Sequence, residues 1–357
     1  MPLDTTTTIA LSSLVFIWGR RLGRSLLQRG ATANDLFKGR NPLSLAFLGC
    51  YVCFMVAILN VPQMTVFPLE WRFHGMQITW GLMHLTLAAL CGMSITISWH
   101  TARSQVITVA LIGIVGVATF SGFESFLLSP IHAQLHDDLQ PNGVFRQTSN
   151  SSCAPAAMAT VLRQWGLPAT ESWVAELAGT SRMGTSMPQL IVAAQTLNLD
   201  GIELSPTWEL MQQINRPGIL AVWLIDDDGK KLPHAVALLG LTDDTATIAD
   251  PAEGEILKFS RADLAEIWRQ QYVPIIRPGD RTMSTIEASM HLRELGYLGP
   301  GRPIQDFRSP IEAFQVDHHL SPTGKLDIET SLALSGPFLN DAPRLDFFQR
   351  ETEVNRM

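Results

Sequence analysis

Of the four cysteines, three (Cys50, Cys53 and Cys91) fall inside apolar runs, and only Cys153 lies in polar sequence. It stands where a serine-rich turn, Gln147-Thr-Ser-Asn-Ser-Ser, runs into an apolar segment of helical period that ends at Gly166. A sulfur at a helix start sits beside unpaired N–H groups and the positive end of the helix dipole. That setting favours the thiolate, the form that attacks a carbonyl carbon. If the chain before the helix curls back beside the sulfur, the Gln147 carboxamide can donate to an oxyanion developing there. His234 is the one histidine between Gly143 and Pro278. It opens an apolar strand-like run directly after Pro233, at a sheet edge, and Asp250 closes another run in Ala-Asp-Pro-Ala-Glu-Gly. With a turn at Thr242-Asp-Asp244 the two runs form an antiparallel hairpin that brings His234 and Asp250 to the same end of a sheet. A carboxylate there holds the imidazole tautomer whose other nitrogen faces a thiol. Each residue also has a plain structural reading: a buried cysteine, a histidine at a strand start, an aspartate in a turn.

The elements that would position them follow from the pattern of caps and turns. After the Cys153 helix, helical patterns cover Thr170 to Ala178, Ser186 to Leu197 with Pro188 in the first turn, and Thr207 to Ile214. Strands are expected at Ile219 to Ile225, His234 to Leu241, Thr245 to Ala249 and Glu255 to Phe259. Ser260 and Asp263 make a capping box for a last helix through Trp268. Helices first and an antiparallel sheet second give an α+β domain with one helix packed on the sheet.

The order Gln147-x5-Cys153-Ala-Pro-Ala, then Pro-His234-Ala-Val-Ala-Leu-Leu, then Ala-Asp250-Pro-Ala-Glu-Gly, resembles the bacteriocin-processing (double-glycine leader) peptidases, a papain-like cysteine peptidase family. The similarity spans about residues 143 to 275 and includes the Ser260-to-Trp268 helix. The resemblance implies Cys153 as nucleophile, His234 as general base and acid, Asp250 as the orienting carboxylate and Gln147 as oxyanion donor, with a peptide or protein substrate. It implies no cofactor and no metal. One departure is that the family commonly has Asp-Cys-Gly-Pro where this chain has Ser152-Cys153-Ala154-Pro155. The added methyl falls where backbone approaches substrate, so it bears on rate and specificity. Members are often fused to export transporters, whereas this sequence contains no Gly-x4-Gly-Lys-Ser/Thr nucleotide-binding motif.

The residues before 129 are read as a membrane segment, 1–128, with three or four transmembrane helices. Pro42 to Val61, Ile78 to Trp99 and Val106 to Leu128 are long enough to cross a bilayer. Ile9 to Gly19 is a marginal first span, since the arginines follow it and a cleaved signal peptide has the opposite charge order. Arg20, Arg21, Arg24, Arg29, Lys38 and Arg40 mark the next loop as cytoplasmic. Alternation then puts everything after Leu128 outside, making the chain a multi-pass protein of the bacterial cytoplasmic (inner) membrane in contact with membrane lipid. Within the spans, His84 reads as a hydrogen-bonding partner to a neighbouring helix and Glu124 as an interfacial group. Cys50 and Cys53 have the spacing of a redox or zinc pair, yet no second pair accompanies them.

Beyond the linker at 129–142 and the peptidase-like domain at 143–277, helices are expected at Thr285 to Leu295, Ile311 to His319 and Asp327 to Leu334. Leu292-Arg-Glu-Leu-Gly-Tyr-Leu298, Ile311-Glu-Ala-Phe-Gln315 and Thr323-Gly-Lys-Leu-Asp327-Ile-Glu-Thr330 resemble the three-helix peptidoglycan-binding domain, which implies peptidoglycan as a partner for residues 285–336. His318 and His319 read as solvated helix-end residues, and the tail at 337–357 carries no signal. A net charge of −7 and the lack of a basic stripe with interleaved aromatics give no reason to expect nucleic acid. The expectation is a membrane-anchored cysteine peptidase facing the cell wall. The alternatives are a peptidoglycan endopeptidase of another papain-like family and an inactive scaffold that tethers the chain to the wall.

Overall fold

The computed structural model describes residues 5–32, 49, 52, 53, 56, 67–225, 228–299 and 307–346. The chain divides into two units, Met1–Ser129 and Pro130–Met357. In the first unit the described helices are α1 (Thr5–Gln28), α2 (Leu69–Phe73), α3 (Gly75–Thr101) and α4 (Val106–Leu127). Two of the described helices are long and apolar enough to cross a membrane: α3, and α4 together with the short turn at Arg103–Gln105 that leads into it. The marginal run at Ile9 to Gly19 lies within α1, which packs closely on α3. A Cβ at Gly19 would stand 2.2 Å from the Ala89 carbonyl oxygen, so only glycine permits this approach. The expected span Pro42 to Val61 lies outside the described residues apart from four positions, as do Cys50, Lys38 and Arg40. His84 bonds the neighbouring helix, its Nε2 lying 2.9 Å from Ser121 Oγ. Glu124, expected to be only interfacial, is a further partner, with Oε2 3.3 Å from His84 Nδ1, which also lies 3.3 Å from Trp80 O.

The second unit is built on an antiparallel sheet. In chain order its elements are β1 (Asp138–Leu139), β2 (Phe145–Arg146), α5 (Cys153–Gln164), α6 (Glu171–Leu177), α7 (Met187–Thr196), β3 (Asp200–Gly201), α8 (Trp208–Ile214), β4 (Gly218–Ile225), β5 (Lys231–Leu241), β6 (Thr245–Asp250), β7 (Glu255–Ser260), α9 (Arg261–Ile267), β8 (Trp268–Ile276), α10 (Thr285–Glu294), α11 (Arg308–Asp317) and α12 (Ile328–Ser335). Strands β3 to β8 form one sheet in the order β3-β8-β4-β5-β6-β7, and β1 pairs with β2. Caps stand at the expected helix starts: the side chains of Thr170, Thr207, Ser260 and Asp327 each accept from a backbone N–H one turn on, and Ser186 makes a capping box with Gln189.

Alanines decide where α5 lies. Its residues 154 to 162 are all buried, with Ala154, Ala156, Ala157 and Ala159 among them. It packs against β5, β4 and β6. Cross-strand pairing of Ala221 with Ala235 and of Ala237 with Ala249 puts four more alanines on one sheet face, which lets a helix approach closely.

Three features differ from the sequence reading. Strand β8 was not expected, and it lies between β3 and β4. Strand β5 begins at Lys231 rather than at His234, and its β4 pairing runs on through Pro233, opposite Trp223. Its pairing with β6 reaches only Ala237, so the proline sits where the ladder is one-sided. Finally, the sheet is covered on both faces. The face carrying Leu220, Val222, Val236, Leu238 and Ile248 shares one hydrophobic core with Trp208 and Met211 of α8 and with Leu292, Phe314 and Leu332 of the three C-terminal helices.

That shared core is pinned by a buried arginine. Arg216 is fully buried, and its guanidinium donates to Ile214 O (3.1 Å), Leu332 O (3.2 Å), Ser335 Oγ (3.0 Å) and Asp280 Oδ2 (3.3 Å). Backbones meet alongside it, since a Cβ at Gly336 would overlap Gln213 O at 1.8 Å. Residues 130–142, read as a linker, also carry buried side chains: Ile131 and Leu135 pack with Ala175 of α6. Arg216→Ala would remove a four-way donor from the core and leave the Asp280 carboxylate without its cation. It is expected to lower stability by about 3 kcal/mol, read as a lower urea midpoint at unchanged slope.

Candidate active site

Cys153 is the first residue of α5 and is partly exposed, with its thiol free. The preceding residue, Ser152, does not cap the helix. Its hydroxyl turns back to Ser149, donating to the carbonyl (2.8 Å) and accepting from the amide (3.0 Å). Helix geometry leaves the N–H groups of Cys153 and Ala154 without an intrahelical acceptor, and Pro155 has none to offer. The helix start therefore presents amide donors around the sulfur instead of spending them on a cap.

His234 and Asp250 reach the site from adjacent strands. His234 Nε2 lies 2.7 Å from Asp250 Oδ1, with both side chains largely buried, and the Ala252 amide donates to the same oxygen at 2.9 Å. Nε2 is thus committed to the carboxylate, which leaves Nδ1 as the nitrogen for the sulfur. Burial of the ring disfavours its charged form. Its hydrogen bonds to Asp250 and to the Cys153 sulfur, with the negative charge on both, more than offset that and raise its pKa from 6.5 to about 9. Asp250 is the complement: burial opposes its ionisation, but the bond to His234 and the Ala252 amide hold its pKa below the ordinary carboxylate value.

Gln147 is fixed by its backbone. Its N–H donates to Pro251 O at 2.8 Å, which ties the strand before the helix to the turn that follows Asp250. Its side-chain Oε1 is buried and has no hydrogen-bond partner. The adjoining Thr148 is gripped by Glu171 of α6, whose two oxygens accept from Thr148 N and Thr148 Oγ1, each at 2.8 Å. In sequence Glu171 looks like an ordinary acidic residue in a first helical turn, and only the fold reveals that it reaches back 23 residues. The structure brings Cys153, His234 and Asp250 into one cluster and ties Gln147 to the same turn as Asp250.

Two clefts adjoin these groups. An apolar one of about 180 Å³ is lined by Val222, Leu224, Val236, Ile248, Phe259 and Ile267, with His234 and Asp250 in its wall. An open polar one of about 630 Å³ runs past Asp138, Arg146, Gln147, Thr148 and Ala252. Among the described residues no group of three His, Cys, Asp or Glu side chains is placed to hold a metal ion.

Comparison with known proteins follows the same boundaries. A model described as the Peptidase C39 family matches residues 142–280. An uncharacterized protein of Methanothermobacter marburgensis is 38% identical over 113 residues, covering 32% of this chain and 74% of that protein. A second uncharacterized protein, from Methanothermobacter thermautotrophicus, is 33% identical over 139 residues, covering 38% and 90%. Among solved structures, the peptidase domain of Streptococcus ComA, a bi-functional ABC transporter involved in a quorum sensing pathway, is 21% identical with a TM-score of 0.35, covering 38% of this chain and 98% of that one. A double glycine motif protease from an AMS/PCAT transporter, in complex with the leader peptide, is 22% identical with a TM-score of 0.31, covering 38% and 90%.

The raised pKa of His234 also makes stability depend on pH. The charged ring is favoured in the folded state over the unfolded one, so its contribution is complete below pH 6.5 and fades as pH rises through about 9. Urea midpoints should fall over that interval in the wild type and fall less in His234→Gln.

Proposed function

The chain belongs to the peptidase C39 family through residues 142–280, and we propose that this part is an active cysteine peptidase in which Cys153, His234 and Asp250 form the catalytic triad and Gln147 the oxyanion donor. The observation that carries the reading is the imidazole shared between a carboxylate and a thiol, with Nε2 at 2.7 Å from Asp250. Cys153 attacks the scissile carbonyl as the thiolate, and the carbonyl π electrons move onto oxygen. That oxyanion is met by the Gln147 carboxamide N–H and the Cys153 backbone N–H, donors placed before the reaction begins. His234 then gives its Nδ1 proton to the departing amine as the C–N bond breaks, leaving a thioester. Water, deprotonated by the now neutral His234, hydrolyses the thioester and restores the starting state. Asp250 stays ionised throughout, and holds the ring.

The substrate on this reading is a peptide or protein whose backbone reaches the partly exposed thiol. Ala154, in place of a glycine, narrows the approach to the helix start and tunes rate and specificity while leaving the nucleophile intact. The membrane anchor is supported by α3 and α4. Arg20, Arg21 and Arg24, which lie in the second half of α1 and not in the loop expected there, and Arg29 just past its end support a cytoplasmic side for that end of the helix. With the expected span Pro42 to Val61 counted before α3 and α4, these favour an extracytoplasmic 130–357 unit that faces the cell wall, with the helices of residues 285–336 as its contact with peptidoglycan. Protease added to intact spheroplasts should then digest the 130–357 unit.

The full-length protein, in detergent or in vesicles, is expected to cleave members of a peptide library and Cys153→Ala to cleave none. Equal cleavage by the two would end the peptidase reading. Gln147→Ala should lower kcat by roughly 10²–10³. Activity should also fall as pH rises through about 9, where His234 loses its proton, and in Asp250→Asn that alkaline limb should move to lower pH.

A further inference from the structure

Glu171 is fully buried, which is costly for a carboxylate unless every oxygen finds a donor. Both of its oxygens are spent on one residue, Thr148, through the amide and the hydroxyl at 2.8 Å each. The start of its own helix has no need of it. Trp173 N donates to Thr170 Oγ1, and Ser172 N donates to Asp137 Oδ1 at 2.6 Å. Glu171 thus reaches away from α6 to hold a distant loop. Thr148 is pinned a third time by the His136 amide, which donates to its hydroxyl at 3.1 Å.

What lies next to Thr148 gives this grip a purpose. Gln147 is bonded behind at Pro251 through its own N–H, and ahead through Thr148. Its carboxamide oxygen has no partner, so backbone anchors rather than bonds to that oxygen direct the amide. Charge-assisted bonds are shorter and about twice as strong as neutral ones, which suits an anchor that must hold a donor steady. We propose that Glu171 is a positioning residue for acyl transfer: its buried carboxylate fixes Thr148 and, through it, the Gln147 carboxamide at the oxyanion site. This rests on the oxyanion role given to Gln147 above.

The test is a double-mutant cycle in the full-length protein. Glu171→Gln is expected to lower kcat about tenfold, the scale of a small misplacement of a catalytic donor, with KM unchanged. Iodoacetamide alkylation of Cys153, which forms no oxyanion, should keep its wild-type rate. In a Gln147→Ala background the same change should alter kcat less than about twofold, since the donor it positions is gone. Thr148→Val removes only the hydroxyl bonds and should show a smaller loss with the same non-additivity, which serves if Glu171→Gln does not fold. Multiplying losses, a parallel fall in alkylation, or wild-type kcat in Glu171→Gln would each overturn the proposal. If Gln147→Ala alone leaves kcat unchanged while Cys153→Ala abolishes cleavage, the oxyanion role and this proposal fail together and the peptidase stands.

Discussion

A buried imidazole shared between a carboxylate and a thiol is a demanding arrangement, because burial by itself pushes a histidine toward the neutral form. Here two partners reverse that outcome. The Asp250 carboxylate takes Nε2, the Cys153 sulfur engages the rest of the ring, and charge becomes favourable on a ring that is itself largely buried. The sheet sets the first distance, since β5 and β6 are paired, with one register shift between Leu238 and Gly240, up to Ala237 and Ala249 and then part, leaving His234 and Asp250 at the end of their ladder. The helix sets the second, because buried alanines on α5 and a row of alanines on one sheet face let it pack close on β4, β5 and β6.

A sheet can hold such a distance only if its other face is also packed. That face is closed by α8 and by α10, α11 and α12, in one continuous core with Arg216 tying Asp280 and the α12 backbone to the sheet. The C-terminal helices are therefore part of the body that supports the site. Only their outer surface is left for a partner, since Leu292, Phe314 and Leu332 are spent on the inside.

Much of this could be read along the chain, and what could not has physical causes. Caps at Thr170, Ser186, Thr207, Ser260 and Asp327 are local signals, because the capping side chain and the amide it serves are neighbours in sequence. The triad candidates were legible through the hairpin, whose turn is closed by the Thr242 amide donating to Thr245 O at 2.8 Å. Strand β8 was hidden by its polar Arg269-Gln-Gln start and by Pro274, which give no strand signal until neighbours on both sides supply the ladder. The early start of β5 was hidden by Pro233, which a one-sided ladder tolerates. Glu171 was hidden because burial and a partner 23 residues away are properties of the fold alone.

The site depends on the ring of residue 234 being held charged by its two neighbours, and nuclear magnetic resonance can observe that directly. The His234 ring signals, followed against pH in the full-length protein and in Cys153→Ser, should titrate near pH 9 in the first and at lower pH in the second. A wild-type ring titrating at the ordinary 6.5, unmoved by the loss of the sulfur, would contradict it.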